Sequence, residues 1–168
     1  MGILTKFRSW MGVDNGQMRL GLAIALLVMV LDLASKALAT AWLANGKVFI
    51  IVPDFFDFVL VYNLGAAFGL FSEQSALVRN FVLLGVAFLA VIFIIQQLRE
   101  SSDLFTTISF AFILGGAIGN VIDRLRLGWV VDFIHLHWYD LSWPVFNIAD
   151  SAIVVGVGML IVDNFRNK

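Results

Sequence analysis

The run from Leu77 to Leu98 constrains this chain most, because it holds no acid and only one base, Arg79, near its start. A helix needs about 20 apolar residues to cross a hydrocarbon core, and this stretch supplies them. Leu104 to Ile122 repeats the pattern with no charged residue at all, and closes on Asp123-Arg124. Backbone in lipid must satisfy its own hydrogen bonds, so such segments become spanning helices rather than open strands. The remaining residues leave no soluble alternative. The chain is 61% hydrophobic and 14% charged, with 16 Phe and a mean hydropathy of +0.94, whereas a soluble domain is about a quarter charged. A net charge of −1 points to no nucleic acid and no acidic partner. The lack of cysteine excludes a disulfide framework, a thiol nucleophile and thiolate metal sites.

Two further spans are less plain. Leu20 to Leu31 is apolar apart from Gly21 but is too short to cross lipid alone. Lys6, Arg8 and Arg19 precede it and small residues follow at Ala37-Leu38-Ala39, which also fits a cleavable signal peptide. The favoured reading continues the helix through Asp32 and Lys36, four apart and able to pair on one face, to Trp42 at an interface. The last span closes on Asp163 and Arg166. The expected fold is therefore a membrane all-α bundle of four transmembrane helices in a single domain, at about 18–43, 77–98, 104–122 and 145–162. Between the first two helices, Val48 to Val52 and Phe55 to Tyr62 are β-rich around a Pro53-Asp54 turn. They predict a small β-cradle over about 45–75 on the outer face, while 124–144 forms a second outer segment. The tail containing Lys6, Arg8 and Trp10 is expected to touch the membrane surface.

Orientation rests on loop charge. Lys6, Arg8, Arg19, Arg99, Arg166 and Lys168 share the side of the termini, and Lys36, Lys47, Arg79, Arg124 and Arg126 lie on the other. Several of the latter belong to polar motifs, so the termini are placed in the cytoplasm. Trp42, Trp129, Trp138 and Trp143 then form an outer belt.

Asn120, Asp123, Arg124, Asp132, Asn147 and Asp150 also gather at this outer end, within or beside oily segments. Ionisable groups are costly there and mark a functional site by default. Asp132 lies in the outer segment just before an apolar turn, and Asp150 in the first turns of the fourth helix. If the outer segment folds back over the bundle, the two carboxyls meet in a poorly solvated place and cannot both ionise easily. One then acts as base on water and the other as acid on the scissile amide. Each aspartate alone also fits a helix cap or a salt bridge, as Asp123 with Arg124 would. Gly115 and Gly119 suggest tight helix packing. His135 and His137 lack a third ligand at sensible spacing and read as interfacial polar residues. A Gly-x-Ser-x-Gly elbow is missing, and Gly156-Val157-Gly158 lies inside a span and is not a nucleotide site.

Taken together, Asn120-Val121-Ile122-Asp123-Arg124, Gly128, Val130-Val131-Asp132-Phe133 and Phe146-Asn147-Ile148-Ala149-Asp150-Ser151 resemble the signature of lipoprotein signal peptidase (signal peptidase II). Asn63-Leu64-Gly65-Ala66-Ala67-Phe68 and Asp32-x-x-Ser35-Lys36 resemble two further blocks of that family, in the family's order. Leu33 stands where the family usually has Gln, and Leu64 where Thr is frequent. The resemblance implies a bacterial inner-membrane aspartyl endopeptidase with a periplasmic β-cradle. Its substrate would be a diacylglyceryl-modified prolipoprotein, cleaved before the lipidated cysteine. Asp132 and Asp150 match the catalytic pair. Asn63, Gly65, Asn120, Asp123, Arg124 and Asn147 match residues lining the site, and Asp32 and Lys36 are expected to support it. Arg124 would either hold a substrate carbonyl or pair with Asp123. The family also implies contact with membrane lipids and inhibition by the cyclic peptide globomycin, with no cofactor or metal, and a monomer is expected. The competing readings are a proton- or ion-coupled transporter subunit using Asp32, Asp123 and Asp150 as a relay, and a noncatalytic membrane scaffold. The acids cluster at one interface and no inverted repeat is evident, which disfavours the relay.

Overall fold

A computed structural model describes residues 15–65, 75–139 and 141–166. Lys6, Arg8, Trp10, Lys168 and the Ala66 to Phe68 part of the cradle motif lie outside these. Four helices are long and apolar enough to cross a membrane: α1 (Asn15–Trp42), α2 (Ala76–Glu100), α3 (Leu104–Leu127) and α4 (Ile148–Arg166). The strands β1 (Phe49–Val52), β2 (Phe56–Asn63), β3 (Val130–Trp138) and β4 (Leu141–Ser142) form one antiparallel sheet in the order β1-β2-β3-β4.

The outer segment differs from its sequence reading. It folds back onto the end of the bundle, but Asp132 does not precede a turn: the segment supplies β3, and Asp132 lies within that strand. Val130 to Ile134 is β-branched and aromatic apart from Asp132, a composition that suits a strand, and Val130 to Phe133 are buried on both faces. Two helix ends also differ. The third helix runs past Ile122 to Leu127, because Gly128 adopts the left-handed conformation (φ 85°) and its N–H returns to the Arg124 carbonyl at 3.1 Å. Asp123 and Arg124 are therefore helical. The fourth helix starts at Ile148 rather than Val145, because Asn147 caps it: its Oδ1 accepts the Asp150 N–H at 2.9 Å. Phe146 instead bridges to Ile134 on β3.

The third helix is central and packs against the other three. A Cβ added at Gly115 would meet the Ala25 carbonyl and Val28, and one added at Gly116 would meet the Ala149 carbonyl. Small residues here let backbones approach closely, which substitutes for a hydrophobic drive that lipid cannot supply. Elsewhere the helices turn apolar side chains outward; Leu77 is 86% exposed and Phe81 82%. Such surfaces belong in hydrocarbon, so the chain is a multi-pass membrane protein. The edge strand β1 is likewise apolar and exposed along its length. Where α1 ends, Ala39 and Leu43 pack on Phe133, seating the sheet on one end of the bundle.

Candidate active site

All ten residues singled out in the sequence are brought into one connected cluster at the sheet end of the bundle. Lys36 on α1 is its cationic centre. Its Nζ lies 2.8 Å from Asp32 Oδ2, 3.0 Å from Asp123 Oδ2 and 2.9 Å from Asn120 Oδ1. Asp32 Oδ1 also accepts the Ala149 N–H at 2.9 Å, and Asp123 Oδ2 accepts the Val131 N–H at 3.2 Å. One buried ammonium thereby ties α1 to α3, while its two acids reach the backbone of α4 and β3. Asp32, Lys36 and Asp123 are almost fully removed from solvent.

The pairing of Asp123 with Arg124, weighed from their adjacency, does not form. Successive helical residues face different directions, and Asp123 turns inward to Lys36. Arg124 instead donates from Nη2 to the Gly65 carbonyl at 3.2 Å.

Asn120 and Asn147 are the distributors. Asn120 Nδ2 donates to Asp150 Oδ1 at 2.8 Å, while its Oδ1 also receives Asn147 Nδ2 at 3.2 Å. Asn147 Nδ2 donates to Asp132 Oδ1 at 2.6 Å. The other oxygen of Asp132 accepts from Asn63 Nδ2 at 3.0 Å, and Asn63 Oδ1 accepts the Gly65 N–H at 3.0 Å, closing a small turn at the end of β2. Asp132 and Asp150 are thus joined through two amides, each of which must hold one orientation to serve both neighbours. Asp132 is 1% exposed, whereas Asp150 is half-buried.

Asn63 owes its position to an irregularity in β2. Phe58 pairs with Ile134 but Val61 pairs with Asp132, so β2 carries an extra residue between them. A bulge of this kind exchanges the faces of the strand beyond it. Asp57, before the bulge, shares a face with His135, while Asn63, after it, shares the face of Asp132.

Electrostatics follow from burial. The cluster holds four carboxyls (Asp32, Asp123, Asp132, Asp150) and two cations (Lys36, Arg124). Burial pushes the Asp132 carboxyl up from 3.8 to about 6, and the charge of Asp150 adds to the rise; the Asn63 and Asn147 amides and Lys36 pull against it. Asp150, in the first turn of α4, faces the positive end of that helix.

Gly119 belongs to this site as well. A Cβ there would stand 2.5 Å from Asp32 Oδ2, so the second glycine of the small-xxx-small motif makes room for a carboxylate rather than for another helix alone. Its only sequence signal was the motif itself.

Comparison with known proteins adds to this picture. A family model described as signal peptidase (SPase) II matches residues 24–166. The lipoprotein signal peptidase of Syntrophotalea carbinolica is 44% identical over 154 residues, covering 90% of this chain and 94% of its own. That of Pseudomonas aeruginosa (strain UCBPP-PA14) is 42% identical over 147 residues, covering 86% of this chain and 87% of its own. A solved structure described as a bacterial membrane enzyme, obtained by the in meso method at 2.3 Å resolution, superimposes with a TM-score of 0.77 at 28% identity, covering 88% of both chains. These similarities give no support to a transporter.

Proposed function

The chain belongs to the signal peptidase II family, and from that membership we propose that it removes signal peptides from diacylglyceryl-modified prolipoproteins, cleaving before the lipidated cysteine with Asp132 and Asp150 as the catalytic pair. The observation that carries this reading is the amide link between the two aspartates, Asp132 to Asn147 to Asn120 to Asp150, at the sheet end of a lipid-facing bundle. With more acids than cations in a poorly solvated cluster, the pair keeps one proton. Its ionised member takes a proton from water as the water attacks the scissile carbonyl. Its protonated member donates to the developing oxyanion and then delivers the proton to the leaving amine.

The remaining residues position these two. Asn63, Asn120 and Asn147 fix carboxyl orientation, and Lys36 with Asp32 and Asp123 holds α1, α3, α4 and β3 in register around them. Arg124 keeps donors beyond its bond to Gly65, and these suit a substrate backbone carbonyl lying along β2. The exposed apolar strand β1 suits contact with lipid or acyl chains. An interfacial site fits the substrate's chemistry, because the acyl chains stay in hydrocarbon while water reaches the peptide bond.

The same reading places the chain in the bacterial inner membrane as one integral domain, with cytoplasmic termini and a periplasmic active site, as a globomycin-sensitive monomer. Because no native cysteine interferes, a cysteine introduced at Ser142 should react with an impermeant maleimide from the periplasm, and one at Ser102 should not. The activity test is cleavage of a synthetic diacylglyceryl prolipoprotein peptide by purified protein, with globomycin as inhibitor. Asp132→Asn and Asp150→Asn should each lower kcat by about 10²–10⁴; turnover left undiminished by both substitutions overturns the dyad.

A further inference from the structure

The bulge in β2 that turns Asn63 towards Asp132 leaves Asp57 on the other face of the sheet, where the catalytic cluster makes no use of it. There Asp57 pairs directly across from His135, and His137 follows two residues along on the same face. His137 Nε2 lies 2.9 Å and His135 Nδ1 3.6 Å from the same oxygen, Asp57 Oδ2. We infer that Asp57, His135 and His137 form a binding site for one divalent transition-metal ion of the zinc type, which clamps β2 to β3.

The hydrogen bonds at the far sides of both rings point to this. His137 Nδ1 faces the Tyr139 carbonyl at 3.4 Å, and a carbonyl only accepts, so the tautomer with its hydrogen on Nδ1 suits that partner and turns the Nε2 lone pair inward. His135 Nε2 lies 2.8 Å from Ser142 Oγ, whose own hydrogen goes to the Trp143 carbonyl at 3.3 Å; Nε2 is therefore the donor there. In a neutral ring these assignments leave both inward nitrogens with lone pairs, aimed at a carboxylate oxygen. With both lone pairs turned inward, the three groups converge as a set of metal ligands; without an ion, His137 Nε2 and Asp57 Oδ2 at 2.9 Å hydrogen-bond to each other instead. A single divalent ion satisfies all three groups at once.

The donor set and its spacing fit a metal of that class. Two imidazole nitrogens and one carboxylate suit zinc and its neighbours rather than magnesium or calcium, which prefer oxygen alone. The three ligand atoms lie within 4.8 Å of one another, and tetrahedral bonds of about 2.0–2.1 Å place donors roughly 3.3 Å apart. Small side-chain rotations close that difference. Oxygen partners on the outer ring nitrogens fix the orientation of metal-ligating histidines, as Ser142 and Tyr139 do here. The side chains are 21%, 15% and 14% exposed for His135, His137 and Asp57, so an ion can enter and water can complete its coordination.

The experiment is calorimetric titration of the untagged full chain, purified in detergent and stripped with chelator, against ZnCl2 and separately MgCl2. One zinc per chain and no magnesium response are expected, with Asp57→Asn, His135→Ala and His137→Ala each weakening zinc binding at least tenfold. Zinc should also raise the melting temperature of the unaltered chain but not of these variants. Each variant's prolipoprotein cleavage reports that it has folded. The spectrum of CoCl2 bound to the unaltered chain needs no variant: strong visible bands indicate a four-coordinate nitrogen-oxygen site. No stoichiometric zinc uptake, affinity unchanged in all three variants, or only the weak spectrum of hydrated cobalt would each overturn the site.

Discussion

The two ends of the helical bundle both bury polar side chains, but from different chemistry. At the end away from the sheet, Gln17 Nε2 donates to the Ser102 carbonyl at 2.7 Å, Thr107 Oγ1 lies 2.6 Å from Gln17 Oε1, and Ser101 Oγ lies 2.9 Å from Thr107 Oγ1. These groups are neutral and satisfy one another, so they tie α1 to the α2–α3 turn and nothing more is required of them. At the sheet end the buried groups include charged ones beside the neutral amides of Asn120 and Asn147, and the acids outnumber the cations. Neutral polar groups in lipid can close on themselves; an excess of carboxyls cannot, and its unmet demand for a proton is the capacity to do acid–base work.

The largest contrast between the ends should be in turnover. Asp132→Asn or Asp150→Asn should lower kcat by about 10²–10⁴, while Gln17→Ala and Thr107→Val leave it near that of the unaltered chain. Equal losses at both ends would mean that the first effect is structural. Turnover at the sheet end should also follow a bell in pH, since one carboxyl must be charged and one neutral; with chemistry rate-limiting, a flat acid range would count against a coupled pair.

Stability separates the two ends next. Lys36→Met strands Asp32 and Asp123 without their counter-ion and should cost about 3–5 kcal/mol, read by denaturation in detergent. Thr107→Val removes neutral hydrogen bonds and should cost about 1 kcal/mol. A Lys36→Met chain as stable as the Thr107→Val chain would remove the ammonium from its place at the centre.

Gly119→Ala presses a methyl against Asp32 Oδ2, and overpacking should cost about 1–3 kcal/mol together with a fall in kcat. Gly158→Ala on α4 meets nothing within 4 Å and should leave activity unchanged.

The smallest effect is the sign of the pH dependence of stability. Asp132 binds its proton more tightly folded than unfolded, so its contribution is complete below about pH 4 and lost as pH rises through about 6. Asp103 behaves oppositely: the Thr106 N–H, at 2.8 Å, holds its carboxyl below the ordinary range, and its contribution is lost as pH falls through that lowered value. Melting curves from pH 4 to 7 should flatten in Asp132→Asn; identical curves would show that burial does not bias Asp132.

Much of this was legible in the chain itself. Lipid demands long apolar segments, so the spans declare themselves without a partner, and a costly acid stands out against oil wherever it falls. Hence the acids of the cluster stood out before their contacts were known, whereas Asn63 and Gly65 were picked out only by the resemblance to the family's motif. Adjacency misled where direction mattered: Asp123 and Arg124 are neighbours in sequence, yet the helix turns one to Lys36 and the other to Gly65. Asn147 looked like part of an early fourth helix, but capping that helix is what frees its amide for Asp132.

Strand register lay beyond the sequence altogether. One extra residue in β2 decides which side chains face the aspartates and which face His135, and nothing in the composition of Phe56 to Asn63 fixes where that residue is inserted. The third donor for the two histidines was therefore invisible along the chain, since Asp57 reaches them only across the sheet. Apolar length and isolated charge are local properties that a sequence carries whole; the meeting of side chains from distant strands and helices is set by packing, which no local run of residues encodes.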